Sequence, residues 1–303
     1  MPELPDLTAY VHALERFIVG RTVESVRLVT PFLVRSWEIP VSTVSGKRVL
    51  GAERIAKRIV LSFEEDLHFV IHLMIAGRFH WRKRGAAVSR RTDHLALDFD
   101  HGSLFLTEAS TKKRASLFVV RGREALRAHD PGGIEPLTCS LSDFRSRLLV
   151  ENHTVKRSLT DPRLFAGIGN AYSDEILHKA KVSPLVWTSR LTEEQISTLH
   201  EATLSTLTDW SRLLRAQWGD KFPEKVTAFH PGMAVHGKAK QACPVCATPV
   251  QRIAYADNEC NYCPTCQTGG KLLADRAISR LLRDDWPRSL EEMEEWKAAR
   301  RSP

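Results

Sequence analysis

Long hydrophobic runs are missing from this sequence of 303 residues. The longest nearly apolar stretch, residues 69–76, is interrupted by His72, whereas a helix that spans a bilayer needs about 20 apolar residues. Charged and ionisable side chains are scattered through the first twenty residues, which therefore lack the uninterrupted core of a secretion signal. We expect no membrane segment and a cytoplasmic protein, associated with the nucleoid if the source is a bacterium.

Cysteine is scarce, and acidic residues are fewer than basic ones. The chain has six cysteines, and four of them form two Cys-x-x-Cys pairs, which indicates a metal site rather than a disulfide framework. Lysine and arginine number 44 against 36 acidic residues, a net charge of +8. This excess favours a polyanionic partner without identifying it. A hydrophobic content of 43% excludes a disordered or fibrous chain.

The first 130 residues alternate apolar and polar positions in the way that β-strands do. A short helix is predicted first, beginning near Asp6 and ending before Gly20. Two packed sheets are the simplest way to bury the strands that follow, so we predict a β-sandwich. The strand-like segments are residues 23–29, 47–50, 58–63, 68–74, 95–98 and 104–107.

A cluster of glycine and proline at residues 130–136 separates this half from a helical one. Helical patterns cover residues 141–149, 173–179 and 192–214, and Thr192 is suited to cap the last of these with Glu194 or Gln195. We therefore predict an α+β multidomain protein. Its expected domains are residues 1–130, 131–232, a cysteine module at 233–268 and an extension of unknown role at 269–303. Four apolar residues in the extension suit packing on the module: Leu272, Ile278, Leu281 and Leu282.

Four cysteines near the carboxyl end have the spacing of a closed zinc site. Cys243 with Cys246 and Cys263 with Cys266 each form Cys-Pro-x-Cys, and the 16 residues between the pairs are enough for a hairpin that brings them together. Cys260 offers a competing register, but it does not repeat that form. Four thiolates leave no open position for a water, so we predict one structural Zn²⁺ and no zinc-based hydrolysis. The two other cysteines are expected to be ordinary buried thiols.

The amino terminus combines a proline and an acid, Pro2 and Glu3. A small residue at position 2 permits removal of Met1, which leaves a secondary amine that titrates near ~8 and is about one tenth unprotonated at neutral pH. Such an amine attacks an aldehyde-level carbon to give an iminium ion, which acidifies the neighbouring carbon and makes elimination easy. The alternative is structural: Pro2 is the first residue of a helix, and Glu3 is an acid favoured there by the helix dipole.

Five motifs occur in one order along residues 1–268. They are Pro2-Glu3-Leu4-Pro5, Arg54-Ile-Ala-Lys57, Gly133-Ile-Glu-Pro-Leu137, Gly167-Ile-Gly-Asn-Ala-Tyr172 and the four-cysteine module. This set resembles the Fpg/Nei family of formamidopyrimidine-DNA glycosylases and endonucleases VIII, as a divergent member. The resemblance implies a β-sandwich, a helical helix-two-turn-helix domain and a zinc ribbon. It also implies a monomeric, bifunctional DNA glycosylase and abasic-site lyase of base excision repair, which binds damaged double-stranded DNA in the cleft between its halves.

The resemblance also implies catalytic roles for the matching residues near the amino terminus. Pro2 would be the Schiff-base nucleophile on deoxyribose C1′, followed by β- and δ-elimination, and Glu3 its general acid or base. Lys57 would contact the phosphate near the lesion, although alone it could be a solvated strand lysine.

Three further residues match family positions that face DNA. Asn170 would bind phosphate from the turn of the helix-two-turn-helix, and Glu175 would lie near the base pocket. His72 matches a DNA-contacting histidine, although a histidine inside an apolar run is more often a core residue. Gly167 and Gly169 would let backbone N–H groups approach a phosphate or would merely cap a helix.

The chain departs from the family in the parts that read the lesion. Ile75 occupies the position of the family's intercalating methionine. It is either a wedge that inserts into the DNA duplex or a core residue. The family's Asp-Pro-Arg-Arg-Phe-Gly has no aromatic counterpart here, where the loop carries Lys112, Lys113 and Arg114. These cations suit phosphate contacts, but a charge run is often only a solvated turn.

Two departures lie near the carboxyl end. The family's hairpin arginine falls on Asn258, with Arg252 as the nearest replacement. The segment 217–235 is shorter than the branch that caps a flipped oxidised purine, which weakens 8-oxoguanine as the preferred substrate.

Two rival functions remain open. One is a lyase with a narrow lesion specificity, and the other is a non-catalytic protein that binds damaged or distorted DNA on the same scaffold. Retention of Pro2, Glu3 and Lys57 together favours the enzyme. The basic residues Arg82 to Arg84, Arg90 and Arg91 belong either to a DNA groove or to an exposed loop, and we favour the loop.

Overall fold

The computed structural model of the protein describes residues 1–227, 229–255, 258–274 and 287–299. The chain divides into two compact units. Unit 1 comprises Met1–Gly133 and Thr208–Ala228, and unit 2 comprises Ile134–Leu207 and Phe229–Pro303. Among the described helices, none combines the length and the apolar character needed to cross a membrane.

Unit 1 contains two four-stranded antiparallel sheets and two helices, α1 (Leu4–Phe17) and α2 (Arg123–Arg127). In spatial order, sheet A consists of β1 (Ser25–Leu28), β6 (Asp93–Phe99), β7 (Gly102–Glu108) and β5 (Gly77–Arg82). In spatial order, sheet B consists of β2 (Val49–Ile55), β3 (Arg58–Phe63), β4 (Leu67–His72) and β8 (Ser116–Arg121).

The two sheets bury one shared hydrophobic core, which confirms the predicted β-sandwich. Phe69 of sheet B lies in the same buried cluster as Phe79 and Leu106 of sheet A. Leu7 and Tyr10 of α1 join that cluster from the helix. Because every residue of β6 and of β7 is buried, these two strands form the protected centre of sheet A.

Unit 2 begins with helices and continues into a hairpin. The helices are α3 (Leu141–Leu148), α4 (Val155–Thr160), α5 (Asn170–Lys179) and α6 (Glu193–Trp218), and the last part of α6 is assigned to unit 1. The hairpin strands are β9 (Gln251–Tyr255) and β10 (Asn258–Tyr262), followed by α7 (Pro264–Thr268) and α8 (Leu290–Ala299). The α+β class with sheets, a helical region and a carboxyl-terminal cysteine hairpin agrees with the prediction.

The cap predicted for the long helix α6 is confirmed. Thr192 Oγ1 accepts a hydrogen bond from the Gln195 N–H at 3.1 Å, and Gln195 Oε1 accepts from the Thr192 N–H at 3.0 Å. This reciprocal pair satisfies two backbone donors that have no partner within the helix.

The first helix begins earlier than predicted and ends before Gly20, as predicted. α1 begins at Leu4 rather than near Asp6, and Pro5 is tolerated in its first turn because an N–H there would have no helical acceptor. It ends at Phe17, and Gly20 has a φ of +80° in the turn that follows. Pro2 therefore precedes the helix, and the interpretation of Pro2 as its first residue is wrong.

Sequence patterns miss the strands β5 and β8 and extend β4 too far. β5 places Arg78, His80 and Arg82 at alternate positions, so its charge hides the buried Phe79. β4 ends at His72 because Met74 has a φ of +53°, which a strand cannot accommodate.

The beginning of the carboxyl-terminal extension packs on the hairpin of unit 2 through Leu273, the neighbour of Leu272. Leu272 is buried, and its N–H donates to Arg288 O at 2.9 Å. The N–H of Leu273 donates to the hydroxyl of Tyr262 at 2.7 Å. The other apolar residues named for this packing, Ile278, Leu281 and Leu282, lie outside the described residues.

Candidate active site and metal centre

The amino terminus of unit 1 is buried. Pro2 is buried, and Glu3, which caps α1, is 2% exposed. The Glu3 N–H donates to Asp6 Oδ2 at 2.9 Å, and Glu3 O accepts from the Leu7 N–H at 2.9 Å. Because these bonds fix the backbone of residue 3, the chain start and the Glu3 carboxyl are held in one place at the end of the helix.

Charges around the chain start are poorly hydrated. Burial lowers the pKa of the terminal amine on Met1, Glu3 and Asp6 oppose this shift, and Arg78 and Lys57 add to it. Burial also raises the pKa of the Asp6 carboxyl to about 7. Sequence patterns do not reveal the raised pKa of Asp6, because it arises from complete burial of the carboxyl rather than from a motif.

Lys57 lies in the two-residue turn that joins β2 to β3, where Ile55 pairs with Arg58. Its side chain is half-buried, and burial lowers its pKa while the charge of Glu3 opposes the shift. Ala56, the other turn residue, has a φ of +49°. The alternative of a solvated strand lysine is therefore wrong, since Lys57 is a turn residue shielded from water and electrostatically coupled to Glu3.

His72, the last residue of β4, is half-buried and neutral. Burial and the charges of Arg58 and Lys57 lower the pKa of His72 to about 4. Its Nδ1 accepts a hydrogen bond from the Met74 N–H at 3.0 Å. The proton of the neutral ring therefore resides on Nε2, which makes that atom a hydrogen-bond donor suited to a phosphate oxygen.

Ile75 stands at the tip of the loop between β4 and β5, and 59% of its surface is exposed. The core alternative for Ile75 is therefore wrong. The loop is tight: the Gly77 N–H donates to Leu73 O at 2.8 Å, and a Cβ at Gly77 would lie 2.2 Å from that oxygen. Arg78 Nη1 donates to Ile75 O at 3.0 Å and to Gly77 O at 2.6 Å. Arg78 is a second site residue that sequence patterns do not reveal.

The loop after β7 exposes Lys112, Lys113 and Arg114. It is fixed from inside by the buried Glu108, whose carboxylate accepts the N–H groups of Arg114 at 3.0 Å and Ala115 at 3.1 Å. Lys113 Nζ donates to Arg91 O at 3.1 Å and also to Glu108 O. The three cations thus project from a braced turn, and their contact with phosphates stays a prediction.

The remaining basic residues fall into two groups, and Arg82 lies in strand β5 rather than in the expected loop. Arg82 pairs with the buried Asp93 at 2.8 Å, and Arg84 pairs with Glu24 at 2.8 Å. Arg90 and Arg91 lie in an exposed turn before β6, as we expected of a loop. That turn touches the Lys113 loop, so the exposed cations of both loops lie at one edge of unit 1.

In unit 2, Asn170 is the first residue of α5, and Gly169 caps this helix. Gly167 has a φ of +83°, which allows the sharp approach to the helix. The half-buried side chain of Asn170 therefore stands at a helix N-terminus, where backbone N–H groups favour an anion. Lys156 Nζ donates to Asn170 O at 3.0 Å and fixes this end of the helix.

Glu175 is engaged with the backbone of its own unit. Its carboxylate accepts the N–H groups of Ala234 at 2.7 Å, Val235 at 2.9 Å and His236 at 2.9 Å. Burial raises the pKa of this carboxyl, and the three donors oppose the shift. The structure thus gives Glu175 an anchoring role at the entrance to the cysteine module, and its contact with a base stays a prediction.

Asp174, next to Glu175, is the centre of a buried network that sequence patterns do not reveal. It binds Lys156 Nζ at 2.5 Å and His236 Nδ1 at 2.8 Å and accepts the Asn261 N–H at 3.1 Å. Burial pushes its pKa upward, but Lys156 and His236 outweigh this effect and the pKa is lowered. The network ties α4 and α5 to the hairpin strand β10.

The cysteine module has the geometry of a metal centre. The Sγ atoms of Cys243, Cys246, Cys263 and Cys266 all lie within 4.8 Å of one another. Thiolates that share one tetrahedral zinc ion stand about 3.8 Å apart, given a Zn–S distance of about 2.3 Å. The predicted ligand set is confirmed as a cluster, and Cys260 is buried in β10 outside it.

The surroundings of this cluster are those of thiolate ligands. His178 of α5 places Nε2 3.2 Å from Cys243 Sγ, and the N–H groups of Val245 and Cys266 lie 3.5 Å from ligand sulfurs. Donors of this kind stabilise negative charge on sulfur. Cys139 is half-buried, which agrees with its expected role as an ordinary thiol.

The family's hairpin arginine falls on Asn258, with Arg252 as its nearest replacement, and the structure describes the side chain of Arg252 only. Arg252 of β9 is exposed and lies 3.6 Å from Glu259 of the neighbouring strand. Asn258 begins β10, and its side chain lies outside the described residues. The hairpin therefore offers one described cation, already opposite a carboxylate.

Family models match most of the two units. Residues 1–115 match the formamidopyrimidine-DNA glycosylase N-terminal domain, and residues 133–211 match the formamidopyrimidine-DNA glycosylase H2TH domain. The two matched ranges contain the amino terminus, Lys57, Ile75 and the helix-two-turn-helix.

Individual relatives agree with the family models. The chain is 42% identical over 151 residues to an uncharacterized formamidopyrimidine-DNA glycosylase-like protein of Mycobacterium tuberculosis, which covers 50% of this chain and 94% of that protein. It is 32% identical over 277 residues to the formamidopyrimidine-DNA glycosylase of Chloroflexus aurantiacus, which covers 88% of this chain and 98% of the relative.

Solved structures give the same result. A complex of the Lactococcus lactis Fpg with DNA containing an abasic site has a TM-score of 0.77 at 25% identity and covers 88% of this chain and 99% of its own. A Lactococcus lactis FPG mutant bound to DNA containing Fapy-dG has a TM-score of 0.77 at 26% identity, with 88% of this chain and 100% of its own covered.

Proposed function

The chain belongs to the formamidopyrimidine-DNA glycosylase family, and from this premise we propose that it removes damaged bases from duplex DNA and then cleaves the abasic site. One observation carries the proposal. Pro2 is buried beside the nearly inaccessible Glu3, and the turn residue Lys57 is electrostatically coupled to that glutamate. A nucleophile, an acid or base and a phosphate contact are thus available at one end of α1.

The proposed reaction begins with the Pro2 amine after Met1 has been removed. The nitrogen attacks C1′ of the damaged nucleotide, the C1′–N bond to the base breaks, and the base leaves with a proton. Loss of the proton on nitrogen leaves a neutral aminal, and cleavage of the C1′–O4′ bond with protonation of O4′ then opens the sugar and gives the iminium ion. Withdrawal of electrons by the iminium permits removal of a C2′ proton and departure of the 3′ phosphate, and a second elimination releases the 5′ phosphate.

The residues around the chain start suit these proton transfers. Burial lowers the pKa of the Met1 amine at the chain start. We propose that the same buried surroundings lower the pKa of the Pro2 amine once Met1 is removed, which would increase its unprotonated, nucleophilic fraction at neutral pH. Glu3 is the group proposed to exchange protons with the sugar and the base. Lys57 and the Nε2 donor of His72 are proposed to bind the phosphates that flank the lesion.

Unit 2 supplies DNA binding and rigidity in this proposal. Asn170 would contact a phosphate at the start of α5, and the four cysteines would hold one Zn²⁺ that fixes the hairpin. A closed four-thiolate site offers no position for a reacting water, so the ion would stabilise the fold and leave the chemistry to Pro2.

Borohydride trapping tests the proposal directly, because reduction makes an imine between the amine and C1′ permanent. Untagged protein whose amino terminus is verified as Pro2 is incubated with a duplex that carries one abasic site. We expect a covalent adduct that maps to Pro2 and that is reduced at least ~100-fold in Pro2→Gly, given the loss of the secondary amine in a preorganised site.

A matched variant separates chemistry from folding. Pro5→Ala changes the other proline of the same segment and should retain the adduct, since Pro5 only occupies the first turn of α1. Protein that binds the duplex and begins at Pro2 but forms no adduct would contradict the lyase and favour the non-catalytic DNA-binding alternative.

A further inference from the structure

Arg78, near the start of β5, holds the loop that carries Ile75. Its guanidinium donates to the carbonyl oxygens of Ile75 and Gly77, at 3.0 and 2.6 Å. One side chain therefore fixes the backbone at the tip of this exposed loop.

The loop that Arg78 holds is already restrained on its other side. His72 Nδ1 accepts the Met74 N–H, and Met74 adopts a left-handed φ of +53°. These contacts fix the beginning of the loop, whereas the bonds from Arg78 reach Ile75 itself. A side chain that enters a base stack binds best from a loop that is already fixed, because ordering a mobile loop on insertion would cost binding free energy.

Three other arginines of unit 1 are used differently. Arg27 pairs with Asp98, Arg82 with Asp93 and Arg84 with Glu24, so each of these guanidinium groups is opposite a carboxylate. Arg78 instead donates hydrogen bonds to two carbonyl oxygens of the loop.

We propose that Arg78 is a positioning residue: its hydrogen bonds to Ile75 O and Gly77 O fix the Ile75 loop for insertion into the duplex. This inference rests on the proposed function, since the loop gains this role only on damaged DNA. It assigns to Arg78 no contact with the substrate.

One duplex reports the presentation of the loop. It carries a single abasic site and a 2-aminopurine in the neighbouring position, whose fluorescence rises when an inserted side chain unstacks it. Borohydride trapping on the same DNA reports the chemistry of the amine. Ile75→Ala calibrates the fluorescence, and we expect it to lose most of the rise.

Variants of Arg78 then test its hydrogen bonds. Arg78→Met removes the donors and should lose most of the fluorescence rise at a protein concentration that saturates the duplex. Arg78→Lys keeps a donor without the planar guanidinium, so it should restore part of the rise. Arg84→Met removes another arginine of the same unit and should keep the full rise.

The inference is overturned if Arg78→Met matches the wild-type protein in fluorescence, or if Arg78→Lys restores none of the rise lost in Arg78→Met. It is also overturned if Arg78→Met loses binding of the duplex as fully as it loses the rise, as a purely structural defect would. A wild-type protein that forms no adduct, but whose fluorescence rise depends on Arg78, would contradict the proposed lyase and support the role of Arg78 in the loop.

Discussion

Two buried aspartates, Asp6 in unit 1 and Asp174 in unit 2, meet the same electrostatic problem with opposite results. Both side chains are withdrawn from water, which by itself raises the pKa of a carboxyl. Asp174 is paired with Lys156 and His236, and its pKa is lowered. Asp6 accepts one N–H from Glu3, its Oδ1 has no partner among the described residues, and its pKa is raised to about 7.

The difference separates a region whose buried acids are paired from one whose buried acid is not. In unit 2, the buried acids Asp174 and Glu175 accept several donors that link helices to the segment around the hairpin. At the start of unit 1, burial raises the pKa of Asp6 to about 7 and lowers the pKa of the Met1 amine and of Lys57. Incomplete pairing costs stability but leaves Asp6 as a carboxyl that changes protonation near neutral pH, as the proposed proton transfers require.

Loss of the metal from unit 2, the region whose buried acids are paired, should have the largest effect. Cys263→Ser should reduce metal content from about one zinc per chain to none, because structural zinc sites contribute on the order of 10 kcal/mol to folding of such modules. Elemental analysis measures the content, and hydrogen exchange of β9 and β10 measures the unfolding. Cys260→Ser is the matched control, since this cysteine lies three residues away and outside the ligand cluster. An equal zinc content in Cys263→Ser and Cys260→Ser would contradict the assignment of Cys263 as a zinc ligand.

Breaking the Asp174 network should have the next largest effect. Lys156→Met leaves a buried carboxylate without its cation, for which we expect a loss of about 3–5 kcal/mol. Hydrogen exchange of α5 reports the local free energy of opening.

The control for Lys156 is Arg157→Met, which removes an exposed cation from the same helix and should cost little. A loss in Lys156→Met no larger than in this control would show that Asp174 is not dependent on its partner, and the contrast with Asp6 would disappear.

Sequence alone predicts the parts of the molecule whose signal is local. The four ligands follow from two Cys-Pro-x-Cys repeats, the cap of α6 from Thr192 and Gln195, and the sandwich from alternating apolar strands. In each case the interacting residues are close in sequence or share a repeated spacing. The fold class could therefore be predicted before any contact was known.

The electrostatics of the site could not be predicted in this way. Asp6 has the pattern of an ordinary first-turn acid, and Arg78 that of a polar residue on a strand. Their surroundings depend on burial of one face of α1 against the core and on a loop closed by Met74 and Gly77. These are long-range consequences of packing, and neither residue type nor spacing records them.

The pH dependence of stability is the remaining test of the contrast. The pKa of Asp6 is about 7 in the folded chain and near its ordinary value of 3.8 in the unfolded one. Below pH about 4 both states hold the proton, so Asp6 costs nothing through this term. Between pH 4 and 7 the unfolded chain releases its proton first, and stability falls by on the order of 4 kcal/mol before it levels off.

Asp6→Asn removes this titration. Compared with wild type, the variant should show a flatter pH profile for the opening of α1, measured by hydrogen exchange of residues 4–17 between pH 4 and 8 after correction for intrinsic exchange. Glu15→Gln, on the exposed side of the same helix, should leave the wild-type profile unchanged. A profile in Asp6→Asn as steep as in wild type would mean that Asp6 is ionised in the folded chain at neutral pH. The amino-terminal site would then need a partner for that charge, and its contrast with Asp174 would be lost.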